Sequence, residues 1–285
     1  MHVLVTGAAG MLGRALLAAL ASRGGAARVT PVDIDDFDLA DAAAVVAALD
    51  RHRPDVVFNC AAFTAVDECE TRREYAEQVN GEAPGVLARW CRAHGARLVH
   101  ISSDYVFDGA ARAPIAEDAA TGPVSAYGAS KLLGEQRVAQ AGGDYLIVRT
   151  AWLFAPWGRS FLQFVLGRLT QGQPAPVITD QVGSPTYAPD LAEALVRLIE
   201  VRATGIVHFV NTGACTWAEF AEHLRTCAGL SGTLTPIVAA DLHRPAARPA
   251  YSVLATQRYT RLVGNPPRTW QDAARDAVQR WRCGG

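Results

Sequence analysis

Short apolar runs alternate with longer stretches rich in alanine, leucine and arginine over the first half of the chain. The apolar runs predict strands at residues 2–5, 27–32, 56–59, 97–101 and 145–149, with helices between them. The runs around Leu4 and Val57 are continuously apolar, which is typical of strands buried on both faces. The alternation of strand and helix therefore predicts an α/β fold with a doubly wound parallel sheet of the Rossmann type.

The pattern becomes irregular beyond Thr150, where prolines are frequent. Predicted helices at residues 190–201 and 217–227 are separated there by long loops. We expect residues 1–150 to form a dinucleotide-binding domain. Residues 151–285 are expected to form mainly a smaller, loop-rich substrate-binding lobe, with some segments returning to the sheet.

The composition argues against several classes of partner. The chain has 285 residues, 50% of them hydrophobic, which suits one large domain with a smaller lobe. Its net charge is -1 and no long basic block is present, so a nucleic-acid partner is not expected. No apolar run reaches the roughly 20 residues of a membrane span, and the first strand leaves no room for a signal peptide. We therefore expect a cytoplasmic protein that is not bound to a membrane.

Six cysteines and seven histidines are scattered along the chain without a CxxC, HxxxH or HExxH arrangement. This spacing favours free thiols in a reducing compartment over a disulfide framework or a zinc site. The histidines are accordingly interpreted as structural or surface residues.

A glycine-rich turn follows the first predicted strand. Gly7, Gly10 and Gly13 form a GxxGxxG motif that encloses Met11 and Leu12 and opens a predicted helix at residues 14–22. Such glycines permit a tight turn and let the backbone approach a pyrophosphate, whose charge the helix N-terminus favours. The turn predicts a dinucleotide site, and a glycine turn that binds nothing is the alternative.

Asp33 comes at the end of the second predicted strand, directly after residue 32 and twenty residues after Gly13. An acidic residue there can accept hydrogen bonds from an adenosine ribose and would repel a 2′-phosphate. The expected cofactor is therefore NADH or NADPH, with NADH favoured. Arg14 lies nearby and could offset the repulsion of a 2′-phosphate.

Further residues are candidates for contact with the dinucleotide. Asp38 and Leu39 precede a predicted helix and could meet the adenine. Ala61 and Ala62 follow the strand at 56–59, where small side chains would let a dinucleotide pass. Small residues at a strand end could equally serve packing alone.

Lys131 is the only lysine among the 27 lysine and arginine residues. Arginine can replace lysine where only a surface charge is needed, but not where a compact ammonium must bond sugar hydroxyls. Tyr127 lies four residues earlier, so the two side chains share one helix face. The ammonium would lower the tyrosine pKa from about 10, which suits general acid or base catalysis. The alternative is a solvated helix pair without a chemical role.

Polar residues, including Ser103, follow the strand at 97–101, at the sheet edge where open α/β folds bind ligands. The set formed by Ser103, Tyr127, Lys131 and the glycine turn resembles that of the extended short-chain dehydrogenase/reductase superfamily. Within it, nearly the whole chain resembles the dTDP-4-dehydrorhamnose reductases. The motifs that carry this resemblance are RPDVV at 53–57, AAFTAVD at 61–67, SDYVF at 103–107, YGASK at 127–131, RTAW at 149–152, DQVGSPT at 180–186, and Arg248-Pro249 with Ser252 and Leu254.

The resemblance implies an activity and a role for each catalytic candidate. Hydride would pass from the nicotinamide to the C4 ketone of a nucleotide-linked 4-keto-6-deoxy sugar, most simply dTDP-4-dehydro-L-rhamnose. Tyr127 would protonate the resulting alkoxide, and Ser103 would hydrogen-bond the same oxygen. Lys131 would hold the nicotinamide ribose, and Thr64 would contact the cofactor. The family usually has threonine at position 103, so the hydroxyl is retained.

The resemblance also implies a substrate pocket. Its candidate residues are Val66, Asp67, Asp104, Tyr105, Trp152 and Arg248. Tyr105 stands where related dehydratases have glutamate, which disfavours dehydration. Trp152 could offer a flat wall to the sugar or thymine, or could be core. Arg248 could neutralise the substrate diphosphate, or could be a surface residue.

Some relatives bind magnesium at a dimer interface through a glutamate two residues after the third glycine, where this chain has Ala15. We therefore expect no metal, and a monomer or homodimer. Two alternative functions remain open from the sequence. One is another nucleotide-sugar 4-ketoreductase or epimerase of deoxysugar or antibiotic biosynthesis. The other is a non-catalytic regulatory subunit like that of methionine adenosyltransferase.

Overall fold

The computed structural model describes residues 1–23 and 28–284. Within them, a central sheet has strands in the order β2, β1, β3, β4, β5, β10, and all its neighbouring strands are parallel. The strands are β1 (His2–Thr6), β2 (Arg28–Val32), β3 (Val56–Asn59), β4 (Arg97–Ser103), β5 (Asp144–Thr150) and β10 (Gly205–His208). The predicted doubly wound parallel α/β fold is confirmed. Ala27, included in the predicted second strand, lies outside the described residues.

Helices cover both faces of the sheet. One face packs against α1 (Met11–Ser22), α8 (Ala188–Glu200) and α10 (Gln257–Val263), and the other against α2 (Ala42–His52), α5 (Ala83–His94) and α6 (Ala126–Ala141). Val3 and Val5 point to the first face and Leu4 to the second, each with 0% exposure. Burial on both faces explains why these strands are continuously apolar.

The chain changes direction across the sheet between β1 and β3. From β1 it goes outward to β2, and it then returns to form β3 on the other side of β1. The connections on either side of such a switch point diverge, which leaves a crevice beyond the carboxyl ends of the two strands. The site described below lies in this crevice.

A π-helical segment, Glu77–Glu82, follows the short helices α3 (Val66–Thr71) and α4 (Arg73–Ala76) and packs closely on α6. A Cβ atom at Gly134 would lie 2.2 Å from the carbonyl oxygen of Asn80, so only glycine allows this approach. The Asn80 side chain accepts a hydrogen bond from the Phe63 amide and donates to Ser130 Oγ at 3.0 Å. These contacts fix the loop after β3 against the helix that carries Tyr127.

Much of the chain after Thr150 forms a lobe with its own apolar core, which includes Phe154, Leu166, Phe220 and Trp270. Its elements are β6 (Leu153–Phe154), α7 (Phe161–Thr170), β7 (Ala175–Ile178), β8 (Val182–Gly183), β9 (Thr186–Tyr187), β11 (Cys215–Thr216), α9 (Trp217–Ala228), β12 (Leu234–Ile237) and α11 (Trp270–Arg282). Helix α8 and strand β10 from the same half of the chain belong instead to the central sheet layer. The role of the lobe in substrate binding remains a prediction.

Candidate active site

A cavity of about 760 Å³ opens at the carboxyl edge of the sheet, between the glycine-rich turn and the lobe. Most of the predicted site residues line it. They are Gly7, Gly10, Met11, Leu12, Gly13, Asp33, Asp38, Leu39, Ala61, Ala62, Thr64, Val66, Ser103, Asp104, Tyr105, Tyr127, Lys131 and Trp152. The fold thus brings residues from many separate segments to one surface, while their individual roles remain predictions.

The glycine-rich turn is shaped by close backbone contacts. Gly7 has a φ of +64°, and a Cβ atom there would lie 2.7 Å from the amide nitrogen of Ala61. A Cβ atom at Gly13 would lie 2.1 Å from the Gly7 carbonyl oxygen. Helix α1 then begins without a side-chain cap or an acidic residue in its first turn. Its first amide groups therefore face the cavity without intrahelical partners, an arrangement that suits a phosphate.

Asp33 stands directly after β2, close to this turn. Its carboxylate accepts hydrogen bonds from the amides of Ala9 at 2.7 Å and Ile34 at 2.8 Å. These bonds orient the carboxylate and leave lone pairs for a ribose. Arg14 does not line the cavity; its guanidinium stacks 5.5 Å above the Trp157 ring.

Two aromatic residues that the sequence reasoning missed line the region near Asp38. Tyr75 donates a hydrogen bond to Asp38 Oδ2 at 3.2 Å, and its ring meets Phe63 edge to face at 5.2 Å. Both rings lie under the guanidinium of Arg72. This apolar wall beside a carboxylate suits a flat base such as adenine.

Tyr127 and Lys131 lie on the first two turns of α6, whose start Ser125 caps by accepting from the Gly128 amide at 3.1 Å. Lys131 is only 2% exposed, so it is not part of a solvated surface pair. Its ammonium donates to the Ile101 carbonyl oxygen at 2.7 Å. Burial lowers the pKa of Lys131 to about 8, opposed by the charge of Glu135.

The pKa of Tyr127 differs from the sequence-based expectation. Burial raises it above the ordinary value, and a hydrogen bond with Ser103 is the main opposing influence. The nearby carboxylate of Asp104 raises it further. Lys131, whose ammonium donates to the backbone of β4, is not among the main influences on this pKa. Tyr127 is therefore a protonated phenol over the ordinary pH range, ready to donate rather than accept a proton.

Ser103 and Asp104 are adjacent buried polar residues at the end of β4. Ser103 Oγ donates to Asp104 Oδ1 at 2.9 Å and accepts from the Tyr105 amide at 3.2 Å. Asp104 is 2% exposed, and this burial raises its pKa to about 6. The ring of Tyr105 meets that of Tyr127 edge to face at 5.3 Å. The serine hydroxyl and the phenol are thus neighbours, as proton transfer to a single substrate oxygen requires.

A buried ion pair between Glu135 and Arg149 holds α6, which carries Tyr127 and Lys131, against the sheet. Glu135, one turn after Lys131 on α6, accepts from Arg149 at 2.8 and 2.7 Å and from Ser102 Oγ at 2.6 Å. Arg149 lies on β5, and its side chain also donates to the Glu117 carbonyl oxygen at 3.2 Å. These charge-assisted bonds join α6 to β4 and β5.

Trp152 forms one wall of the cavity and does not lie in the core alone. Its ring stacks on Trp217 with the centroids 3.5 Å apart and the planes 5° from parallel. Both tryptophans line the cavity. Trp152 has a φ of +45°, a value that is uncommon for a residue other than glycine. Trp217 begins α9, and no local pattern in the sequence linked it to the site.

Asp67 and Arg248 are not among the cavity-lining residues. They bind each other through two hydrogen bonds of 2.8 Å, Nη1 to Oδ1 and Nη2 to Oδ2. This hydrogen bonding lowers the pKa of Asp67. The fork of Arg248 is thus occupied by a carboxylate rather than presented to the cavity, and its contact with a diphosphate remains a prediction.

Among residues 1–23 and 28–284, no group of three or more histidine, cysteine, aspartate or glutamate side chains is arranged to hold a metal ion. The expectation of no metal remains a prediction. In the part of the chain that the structure describes, no helix has the length and apolar character needed to cross a membrane.

Comparisons with known proteins agree with this geometry. The model of the RmlD substrate binding domain family matches residues 1–283. A probable dTDP-4,6-dihydroxy-2-methyloxan-3-one 4-ketoreductase of Streptomyces antibioticus is 43% identical over 280 residues, covering 97% of this chain and 94% of that protein. A dTDP-4-dehydrorhamnose reductase of Streptomyces griseus is 43% identical over 277 residues, covering 95% of this chain and 90% of that protein.

A solved structure shows the same fold over the full length. The dTDP-4-dehydrorhamnose reductase of Bacillus anthracis, in complex with NADP, superposes with a TM-score of 0.92 at 32% identity, covering 100% of this chain and 99% of that chain. The similarity therefore extends over both the sheet and the lobe. The chain belongs to the RmlD substrate binding domain family, the family of dTDP-4-dehydrorhamnose reductases that its motifs predicted.

Proposed function

We propose that this protein uses a nicotinamide cofactor to reduce the C4 ketone of a dTDP-linked 4-keto-6-deoxy sugar, namely dTDP-4-dehydrorhamnose. The observation that carries the proposal is the convergence of Ser103, Tyr127 and Lys131 on one cavity that also contains the glycine-rich turn. The relatives named as reductases support the same reaction class. A regulatory subunit is not favoured, because the full set of reactive groups is retained.

The cavity fits a dinucleotide on two independent grounds. The free amides at the start of α1 suit a pyrophosphate, and the oriented carboxylate of Asp33 suits a ribose. When bound there, the nicotinamide supplies the hydride. Lys131 would hold the nicotinamide ribose through its buried ammonium.

The protein's own part in the reaction is to position the ketone and to supply a proton. Trp152 and Trp217 offer a flat wall against which the sugar nucleotide can pack. The Ser103 hydroxyl, which donates to Asp104 Oδ1 in the free protein, would turn to donate to the C4 oxygen and stabilise the charge that develops there. Tyr127, whose pKa is raised, would transfer its proton to the alkoxide and yield the alcohol.

We also propose that NADH is preferred over NADPH. The Asp33 carboxylate would repel a 2′-phosphate, and Arg14, which could offset that repulsion, is stacked on Trp157 outside the cavity. The Bacillus anthracis relative was solved in complex with NADP, so the proposed preference rests on Asp33 and Arg14 of this chain alone. A higher kcat/KM with NADPH than with NADH would overturn this part of the proposal.

The six cysteines are all free, which suits the reducing cytoplasm. A monomer or homodimer without a nucleic-acid partner is expected.

The test is oxidation of NADH, and separately NADPH, by purified protein supplied with dTDP-4-dehydrorhamnose generated in place from dTDP-glucose. Product identity is read by NMR. Formation of dTDP-L-rhamnose is the expected result. A different sugar epimer would assign the enzyme to another nucleotide-sugar 4-ketoreduction. Cofactor binding without oxidation would contradict the proposed substrate.

A further inference from the structure

A short segment, residues 155–160, connects β6 to α7 and crosses the start of α1. Trp157 Nε1 donates a hydrogen bond to the carbonyl oxygen of Met11 at 3.2 Å. Within the segment, Ser160 Oγ donates to the Ala155 carbonyl oxygen at 3.1 Å. One hydrogen bond therefore links the two ends of the segment, and another attaches the segment to the first turn of α1.

Arg159 lies on this segment and lines the same cavity as Gly10, Met11 and Gly13. It is two residues from Trp157, so the two Cα atoms are at most about 7 Å apart, and a long side chain extends the reach further. The cavity lining contains one other cationic side chain, Lys131, which is buried and bonded to the backbone of β4. Within the described residues, the exposed guanidinium of Arg159 makes no hydrogen bond or ion pair.

Without Arg159, the groups that favour a phosphate at the turn all lie on the sheet side of the cavity. The amides of the first turn of α1 favour a phosphate from the sheet side, and their helix has no acidic residue in that turn. A guanidinium on the lobe side can bind two phosphate oxygens at once with a fork of donors. The glycine-rich turn can contact a pyrophosphate from one side only. Arg159 is available to contact the phosphate oxygens on the other side, which would otherwise face solvent.

We propose that Arg159 binds the pyrophosphate of the dinucleotide from the side opposite the glycine-rich turn, and that Trp157 anchors the segment that presents it. This inference rests on dinucleotide binding by the protein, and the identity of the sugar does not enter it. A nucleotide sugar also carries a diphosphate, so the experiment has to separate the two sources. The tether from Trp157 to Met11 favours the cofactor, because it holds the segment at the turn.

The test measures the affinity of the purified full chain for ADP-ribose and for dTDP by isothermal titration calorimetry. Arg159→Ala and the near-isosteric Arg159→Gln should each raise the Kd for ADP-ribose about 10-fold, the loss expected for one charge-assisted contact. The Kd for dTDP should stay within twofold of the wild-type value. Trp157→Phe, which retains a ring beneath Arg14 but loses the bond to Met11, should weaken ADP-ribose by a smaller factor.

Arg261→Ala is the matched control, because it removes the same charge from an exposed position on α10. Its affinity for ADP-ribose should be unchanged. The proposal is overturned if both Arg159 variants bind ADP-ribose within twofold of wild type, if they weaken dTDP instead, or if Arg261→Ala weakens ADP-ribose equally. Neither ligand carries a keto group, so failure of the ketosugar assay would leave this result standing.

Discussion

The carboxylate of Glu135 meets the guanidinium of Arg149 at two points, with Oε1 2.8 Å from Nε and Oε2 2.7 Å from Nη2. Glu135 is 4% exposed and Arg149 3%. The first residue lies on α6, one turn after Lys131, and the second on β5. The pair therefore locks the helix that carries the catalytic candidates to the sheet that carries Ser103.

Glu135→Gln should destabilise the protein by roughly 3–5 kcal/mol, because it leaves the Arg149 charge buried without its partner. The measurement is urea unfolding followed by circular dichroism. The control is Glu222→Gln, which breaks an exposed pair with Arg225 and should barely move the midpoint. A double variant, Glu135→Leu with Arg149→Met, should recover much of the stability. Equal midpoints for Glu135→Gln and Glu222→Gln would contradict the role assigned to the pair.

The sequence predicted those parts of the fold and site that depend on local spacing. The strands and the parallel sheet follow from apolar runs, and the glycine turn and the Tyr127–Lys131 pair each lie within a few residues. Glu135 could have been found too, since it follows Lys131 by one turn on the same helix face. Its partner Arg149 belongs to a separate strand, and no spacing rule links them.

Trp217 and Tyr75 could not be predicted as site residues for the same reason. Trp217 reaches the cavity only because α9 packs beside β6 and stacks the indole on Trp152. The expected fall in the pKa of Tyr127 was wrong because it considered the helix face alone. Burial of the phenol raises its pKa once β4 is placed against α6, and the hydrogen bond with Ser103 offsets only part of this effect.

Tyr127→Phe should lower kcat by about 10²- to 10⁴-fold, the usual contribution of a general acid. The affinity for NADH, measured by fluorescence titration, should change less than threefold, because the ring and Lys131 remain. Tyr105→Phe serves as the comparison, since its ring contacts Tyr127 edge to face. That variant should raise KM for the nucleotide sugar more than it lowers kcat. Full turnover by Tyr127→Phe would exclude it as the proton donor.

Activity should fall as the pH rises above about 8, because burial lowers the pKa of Lys131 to about 8 and the ammonium is then lost. Tyr127, with its raised pKa, remains protonated over the same range. The measurement is kcat/KM against pH, which reports groups of the free enzyme. NADH binding by Tyr127→Phe should weaken above the same pH. If NADH binding by Tyr127→Phe does not weaken above that pH, the titrating group is the tyrosine and not the lysine.

Asp104→Asn should stabilise the folded protein at neutral pH. The pKa of Asp104 is about 6 in the folded state, above the unfolded value of about 3.9, so its charge costs stability at pH 7. This cost, on the order of 3 kcal/mol, disappears as the pH falls from about 6 to about 4. Urea unfolding should therefore show a larger gain for the variant at pH 7.5 than at pH 4.5. An equal gain at both pH values would mean that the carboxylate is not strained by burial.

Gly183→Ala should impair binding of the nucleotide sugar without affecting the cofactor. A Cβ atom at Gly183 would lie 2.4 Å from Cε2 of Trp152, so the indole has to move and its stacking on Trp217 is disturbed. We expect KM for the sugar to rise about 10-fold, since displacements near 1 Å can have large effects on bound geometry.

Gly167→Ala is the control for Gly183→Ala within the same lobe. Gly167 lies in α7 and a Cβ atom there would meet no atom within 4 Å, so alanine should stabilise the helix by about 0.5–1 kcal/mol and leave KM unchanged. Melting temperatures of both variants separate loss of folding from loss of binding. If Gly183→Ala folds normally and its KM for the sugar equals that of Gly167→Ala, the stacked tryptophans do not contact the substrate. The wall of the substrate site would then have to be sought elsewhere, among residues such as Tyr105 and Val66.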